Sequence, residues 1–463
     1  MLLPLTAYLH PIRGVFCDRD FIRSGIICEF VQNYILGMNA RNEISIYDIV
    51  CAISEAVDLV SPVLNRHHKK VAYIASHIAL QMNLPNSEIQ DIVLASMLHD
   101  IGAFSIGERI EANTLEYHDS ELNRHAFLGY KLLKNFGPLA RAAKLIRYHH
   151  ADYHSAGYSV PLGSYVIHLA DRVTILFDES REILGQVVGV LDKISQKYQK
   201  FHPATFAAFL RLVKLEYVWV EAFAPAFGDV AIQEVRFSKE VIEPETLRCF
   251  AKIIAQIIDF RSRFTATHSC GVAAVVRELT AAAGFSEREC KLMEIAGFLH
   301  DLGKLSVSNE ILEKSGALSQ EDFNAIRKHT YYTYSILSRV SGMEDIASWA
   351  AHHHERQDGS GYPFHTMGEN ITRLERIMTV ADILTALAED RPYRAGMGRE
   401  NILEILFALA NQGEIDKGIV ELTEKYFARI NDARLKAQES ALKEYEAFSI
   451  KSPVTARNNR QPA

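Results

Sequence analysis

Histidine and aspartate recur inside apolar runs of this chain, and any fold has to provide for them first. The sequence reads GFLHDLGKL at 297–305, KHTYYTYSIL at 328–337, AHHHERQDGSGYP at 351–363 and TVADILTALAEDRPYR at 379–394. His300-Asp301 sits inside the apolar, helix-like run Met293–Leu305, and His353-His354 ends another, Ile346–His354. A core closing over these residues encloses groups that are costly to bury without partners. Each buried polar group left unsatisfied costs roughly 1–3 kcal/mol. A set of about seven would consume the 5–15 kcal/mol stability of an ordinary domain. Metal ions are the simplest common partner, because imidazole and carboxylate both suit transition metals.

The same pattern occurs twice. His67 and His99-Asp100 each lie 201 positions before His268 and His300-Asp301. His125 and His149-His150 each lie 204 positions before His329 and His353-His354, and Asp171 lies 211 before Asp382. With 19 His in 463 residues, five histidine coincidences have a chance of about 10⁻⁷, so the chain reads as a tandem duplication. His67, His99, Asp100, His125, His149, His150 and Asp171 form a candidate second cage. The copies differ where chemistry should show. Lys304 corresponds to Ala103, HHERQDGSGYP corresponds to HHADYHSAGYS, and DRPYR has no evident counterpart after Asp171.

On these motifs, residues 243–425 resemble an HD-GYP domain, the subgroup of HD phosphohydrolases that hydrolyses cyclic dinucleotides. The resemblance implies two tandem all-α HD bundles, the first degenerate. It implies His268, His300 and Asp382 as ligands of one metal, His329, His353 and His354 as ligands of another, and Asp301 as the bridge between them. Asp301 and Lys304 take the catalytic role. Lys304, Gly359, Gly361, Tyr362, Pro363, Arg391 and Arg394 are the expected substrate contacts, with Gln357 standing where the family usually has Trp. Two divalent transition metals are implied, Fe or Mn first, with Zn, Ni or Co as alternatives. A third metal, held in some members four residues before the first histidine, is not expected, since Phe264 occupies that position. Such a pair activates a water and stabilises an in-line displacement at phosphorus. The expected reaction is hydrolysis of cyclic di-GMP or 3′,3′-cyclic GMP-AMP to the linear dinucleotide, with onward cleavage to mononucleotides left open. Another HD-type nucleotide phosphohydrolase and a non-catalytic nucleotide sensor are the alternatives. The GYP loop is the expected docking face for a diguanylate-cyclase-type domain, and a homodimer is a further partner reading.

The chain exceeds the usual limit of about 250–300 residues for one core. The expected division is an N-terminal segment 1–44, a degenerate HD domain 45–227, a β-like linker 228–243, a catalytic domain 244–432, and a charged helix with a disordered tail 433–463. Helices are expected from Ser45 to about Val60, over Ile183–Tyr198 and Pro203–Val220, from Pro244 to Asp259, and over Asn401–Gln412, Lys417–Ile430 and Ala433–Phe448. Net charge of −7 argues against a long nucleic-acid partner. Six dispersed cysteines without a C-x-x-C read as reduced core residues of a cytosolic protein. Pro4 interrupts the apolar N-terminus, and no run of about 18 apolar residues offers a membrane span. A cytoplasmic location is expected.

Overall fold

The computed structural model describes residues 44–58, 66–103, 119–156, 159–223, 235, 237, 242–261, 265–312, 314, 316–390 and 395–449. The first copy contains α1 (Ile46–Asp58), α2 (His67–Gln81), α3 (Asn86–Met97), α4 (Asp119–Leu133), α5 (Ala140–Arg147) and α6 (Leu162–Thr174). It continues with α7 (Val187–Ser195), α8 (Pro203–Leu212) and α9 (Glu216–Phe223). The second copy repeats the order as α10 (Pro244–Asp259), α11 (His268–Ala282), α12 (Glu287–Leu299), α13 (Gln320–Leu337), α14 (Glu344–Ala351) and α15 (Arg373–Ala388). Two C-terminal helices follow, α16 (Arg399–Asn411) and α17 (Lys417–Ser449). The described residues contain no β-strand; one isolated antiparallel bridge joins Asp358 to Met367. The architecture is all-α.

Local chemistry starts and stops these helices. Reciprocal capping boxes open α12 (Ser286 with Glu289), α13 (Ser319 with Asp322) and α15 (Thr372 with Glu375). Each satisfies backbone donors that a helix N-terminus leaves without partners. Pro244 occupies the first turn of α10, where its missing N–H costs nothing.

Several expected boundaries move. The segment Pro203–Val220 is broken into α8 and α9, with the Trp219 indole N–H donating to the Val213 carbonyl across the break (3.4 Å). The stretches Lys417–Ile430 and Ala433–Phe448 run together as α17, kinked at Tyr426 (φ −110°, ψ 16°), so the expected boundary after 432 falls inside a helix. Cys249 is exposed, not a core residue. Of the β-like linker only Val235, Phe237, Ile242 and Glu243 are described, and none is in a strand; Phe237 stacks on Tyr47 of α1 at 4.3 Å. Phe264, Arg391, Arg394, the N-terminal segment up to residue 43 and the tail from 450 lie outside the described residues.

The two copies pack on one another. Helix α1 lies against α2 and α3 of its own copy, against α13, and against the 3-10 turn Leu302–Ser306. Phe136 stacks on Phe250 of α10 at 5.0 Å, and Glu55 pairs with Arg339 at 2.7 Å. No described helix is long and apolar enough to cross a membrane.

Candidate metal centre

Five short pieces of backbone bring the second copy's histidines and aspartates together. His268 begins α11, His329 lies within α13 and Asp382 within α15. Helix α12 stops at Leu299, so His300 caps it and Asp301 lies in the turn beyond (φ −95°, ψ 11°). That ending answers a geometric problem. Neighbours on a continued helix would point about 100° apart, whereas a chain leaving the helix at His300 can aim both side chains inward. His353 and His354 similarly leave α14 in a 3-10 turn, while His352 bonds the Ser348 carbonyl (2.7 Å) beside Glu375. Gly303 makes the turn fit: a Cβ there would collide with the His329 carbonyl, and Gly102 stands in the same relation to His125. The Gly303 N–H donates to Thr333 Oγ1 (2.9 Å), whose hydroxyl donates to the His300 carbonyl (3.1 Å).

The side chains form two groups around Asp301. His268 Nε2 is 3.2 Å and His300 Nε2 3.9 Å from Asp382 Oδ1, and these same two nitrogens are 4.0 and 3.2 Å from Asp301 Oδ2. On the other side, His329 Nε2 and His353 Nε2 are 3.4 and 3.9 Å from Asp301 Oδ1. Ligand atoms of His268, His300 and Asp382 lie within 4.8 Å of one another, as do those of His329, His353 and His354. One carboxylate thus turns one oxygen to each group. His300 Nε2 and Asp301 Oδ1 are buried without a hydrogen-bond partner, the orphaning that a metal would relieve. The residues present therefore fit a metal pair.

An outer shell sets the direction of the imidazoles. Nδ1 of His300, His329 and His353 each bonds a backbone carbonyl three residues back, Gly297 (2.8 Å), Ile326 (2.7 Å) and Ala350 (2.7 Å). This leaves their Nε2 atoms facing the centre. His268 Nδ1 bonds Glu389 Oε2 at 2.9 Å, Gln438 Nε2 donates to Glu389 Oε1, and Arg434 donates to Gln438 Oε1 at 2.6 Å. Sequence reasoning missed Glu389 and Gln438. For Glu389 a signal existed, since it follows Asp382 by seven residues, two helical turns along one face.

Burial opposes charge on Asp301, but His300, the Lys304 ammonium and His329 outweigh it and hold the carboxyl well below its usual range. Asp382 is likewise held low, against burial, first by its bond to His268. Burial pushes His329 to about 3, His354 to about 4 and His353 well below the ordinary imidazole value. Neutral imidazoles beside ionised carboxylates are the protonation states that metal binding requires.

Lys304 stands on the 3-10 turn after the HD pair, its Nζ 2.6 Å from Asp301 Oδ2. Arg261 clamps that turn from outside by donating to the carbonyls of Lys304 (2.7 Å) and Val307 (2.6 Å). A cleft of about 500 Å³ opens beside it, lined by Asp301, Lys304, Asp259, Lys314, Leu312 and Leu318 among others. The GYP loop borders the centre through Tyr362, whose ring lies 4.9 Å from that of His354 and whose N–H donates to the His354 carbonyl (3.2 Å). Pro363 follows it through a cis peptide bond. Gly361 is buried against the backbone of residues 354–356, and Gly359 is turned toward Met367. Buried Glu355 anchors the loop by accepting from the N–H groups of Phe364 (2.6 Å) and Thr366 (2.9 Å).

The first copy assembles the corresponding residues. His67 Nε2 is 3.2 Å and His99 Nε2 3.9 Å from Asp171 Oδ1; His125 Nε2 and His149 Nε2 are 3.1 and 3.8 Å from Asp100 Oδ1. His150 Nε2 is 2.9 Å from His125 Nε2. Where Lys304 would stand, Ala103 is fully buried.

Two matches to the HD domain family cover residues 65–195 and 252–419. The chain is 28% identical over 404 residues to the 3′3′-cGAMP-specific phosphodiesterase 1 of Vibrio cholerae, covering 83% of this chain and 92% of that one. It is 34% identical over 157 residues to the cyclic di-GMP phosphodiesterase response regulator RpfG of Xanthomonas campestris, spanning 34% of this chain and 42% of the relative. A solved structure of the cyclic GMP-AMP specific phosphodiesterase V-cGAP3 of V. cholerae shares the fold, with a TM-score of 0.58 at 22% identity over 86% of this chain and 98% of that one. The chain therefore carries two HD domains and is homologous to the phosphodiesterases of the HD-GYP class.

Proposed function

We propose that this protein is a metal-dependent cyclic-dinucleotide phosphodiesterase whose second copy performs the hydrolysis. The observation that carries the reading is Asp301, with one carboxylate oxygen toward His268 and His300 and the other toward His329 and His353. His268, His300 and Asp382 would hold one divalent metal, His329, His353 and His354 the other, with Asp301 shared. Fe or Mn is the preferred occupant, since the mixed imidazole and carboxylate set suits both. When bound, the pair supplies charge to the phosphoryl oxygens and activates a water.

The chain's own residues supply the rest. Lys304, with its side chain 22% exposed, can exchange Asp301 for an incoming phosphate oxygen without crossing the core, which makes it the electrostatic partner of the reacting phosphate. Arg261 fixes the turn from which it reaches. Lys314 on the cleft wall, paired with Asp322, offers a second cation toward a second phosphate, as a cyclic dinucleotide carries. Tyr362 closes one side beside His354. Gly359, Gly361, Pro363, Arg391 and Arg394 remain substrate-contact proposals on the family pattern. The exposed rings of Tyr331 and Phe364 and the exposed Met367 support the GYP loop as a docking face for a diguanylate-cyclase-type domain. Both HD matches lie inside 45–227 and 244–432, which supports two HD modules joined through 228–243; the first is taken as the non-hydrolytic one because Ala103 stands where the second has Lys304.

The names of the curated relatives favour cyclic dinucleotides over nucleoside mono- or triphosphates. The test is a substrate panel with Mn- or Fe-loaded full-length protein: 3′,3′-cyclic GMP-AMP, cyclic di-GMP, and nucleoside mono- and triphosphates. Turnover of a cyclic dinucleotide to its linear form is expected. Hydrolysis confined to mononucleotides or triphosphates, or none with full metal loading, would replace this reading.

A further inference from the structure

We propose that the first copy is a second metal site with a ligand set of its own, in which His68 adds a sixth imidazole, and that it retains metal independently of the catalytic centre. Three sets of donor atoms converge there, each within 4.8 Å: Asp100 with His125, His149 and His150; His67 with His99 and Asp171; and His68 with His99 and Asp100. His67 Nε2, Asp100 Oδ1 and Asp171 Oδ1 are buried without a hydrogen-bond partner. Orphaned atoms of this kind, gathered in these donor groups, are atoms that a bound ion would satisfy.

The duplication shows what is new. In the second copy, Ser269 follows the first histidine, and its N–H (2.9 Å) and hydroxyl (3.0 Å) donate to Asp259. In the first copy His68 occupies that position, and its Nδ1 bonds Asp58, the counterpart of Asp259. A carboxylate on one ring nitrogen directs the other toward a metal and makes it a better donor. His68 Nε2 is thereby set 4.0 Å from Asp100 Oδ2, beside His99 Nε2 at 3.4 Å. The corresponding oxygen of Asp301 is engaged by Lys304. Asp301 Oδ2 faces His268 and His300 besides that ammonium; with Ala103 at the lysine position, Asp100 Oδ2 faces His68 and His99. Arg172 holds Asp171 Oδ2 at 2.6 Å, leaving Oδ1 turned to His67 and His99. Six imidazoles with two carboxylates make a more nitrogen-rich cage than the five imidazoles and two carboxylates of the second copy. Such a set favours metals such as Zn, Ni or Co over Mn.

The experiment uses full-length His300→Ala/Asp301→Ala protein and Zn(II) alone as the probe. After dialysis, at least one Zn per chain should remain, and Zn should raise the melting temperature. Adding Asp100→Ala should abolish both effects. His68→Ser in the same background should raise the Zn dissociation constant tenfold or more by chelator competition, while His68→Ser in the parent protein leaves phosphodiester hydrolysis within about twofold. A folded double variant that binds no Zn, or a triple variant that binds as well as the double, overturns the site. Unchanged affinity in His68→Ser overturns the sixth ligand. Should the double variant fail to fold, total Zn per chain in Asp100→Ala against parent decides the question, equal content being the overturning result.

Discussion

Replacing Glu389 with glutamine keeps the side chain's volume and removes the charge that orients His268. In the structure Glu389 is buried and accepts on both oxygens, from His268 Nδ1 (2.9 Å) and from Gln438 Nε2. An amide has only one accepting oxygen. If the new amide offers that oxygen to His268, its NH₂ faces the Gln438 NH₂. Gln438 cannot turn over cheaply, because its own oxygen accepts from Arg434 at 2.6 Å. If the new amide offers its oxygen to Gln438 instead, its NH₂ donates to His268 Nδ1, and the imidazole proton moves to Nε2, the atom that faces Asp382 and the metal. Either arrangement weakens the ligand. Loss of an outer-shell partner of this kind typically costs about 10–100-fold in metal affinity, or about 1.4–2.7 kcal/mol. The assay is chelator competition on full-length Glu389→Gln in an Asp100→Ala background, so that only the second copy's centre reports. Hydrolysis should fall at limiting metal and recover at excess. A folded variant binding metal within twofold of its parent would refute the argument that Glu389 acts through His268.

Asp301→Ala should abolish hydrolysis and lower metal content, because both groups of ligands lose their shared anion; near-normal turnover with full metal loading would end the two-metal assignment. Lys304→Ala should keep its metal yet lose about 10²–10³ in kcat, the usual loss for one electrostatic donor, and the reverse result would make Lys304 structural. Phe250→Ala, which deletes a ring buried against Phe136 between the copies, should cost about 3–5 kcal/mol in urea unfolding with metal content unchanged. In chelated protein, burial holds His329 near 3 and His354 and His99 near 4, below the unfolded value of about 6.5. Their stabilising contribution is complete above 6.5 and is lost as pH falls toward 4, by about 1 kcal/mol per histidine between 6.5 and 5.5. Asp259, raised by burial to about 7, opposes this; a urea midpoint that rises on acidification through that window would contradict the sign.

The inner cage was legible because its residues are chemically conspicuous in apolar runs and because duplication repeats their spacing. His352 shows the limit of spacing alone: in the run of three histidines it faces Ser348 and Glu375, while the next two face the centre. The outer shell was less accessible. Gln438 meets Glu389 across 49 residues of chain, and Glu389 meets His268 across 121. Nothing local in KAQES announces that its glutamine reaches a buried carboxylate. Gly271 supplies the space, for a Cβ there would meet Gln438 Nε2 at 2.6 Å. Such partners follow from how α17 crosses α11, a tertiary fact that neither propensity nor periodicity contains. Helix ends were misplaced for a related reason: Met293–Leu305 reads as one mainly apolar, helix-like run, but α12 stops at Leu299, where the HD turn brings Gly303 against the His329 carbonyl.

Two substitutions within one inherited frame separate the copies' chemistry. At the lysine position, the second copy places a cation on the bridging carboxylate at the edge of a cleft, close enough to hold Asp301 and exposed enough to leave it for a phosphate. The first copy has a fully buried methyl group there. At the position after the first histidine, the second copy has a hydroxyl that satisfies Asp259 without reaching the centre. The first copy has an imidazole that satisfies Asp58 and also reaches Asp100. The first change removes a group useful in a transition state, where charge develops on phosphate oxygens. The second adds a group useful only in the ground state, where a ligand tightens binding of the ion itself. On the proposed reading the two changes together would shift one cage from turnover toward retention of metal, which is how a copy with nearly every histidine of its twin would contribute no hydrolysis.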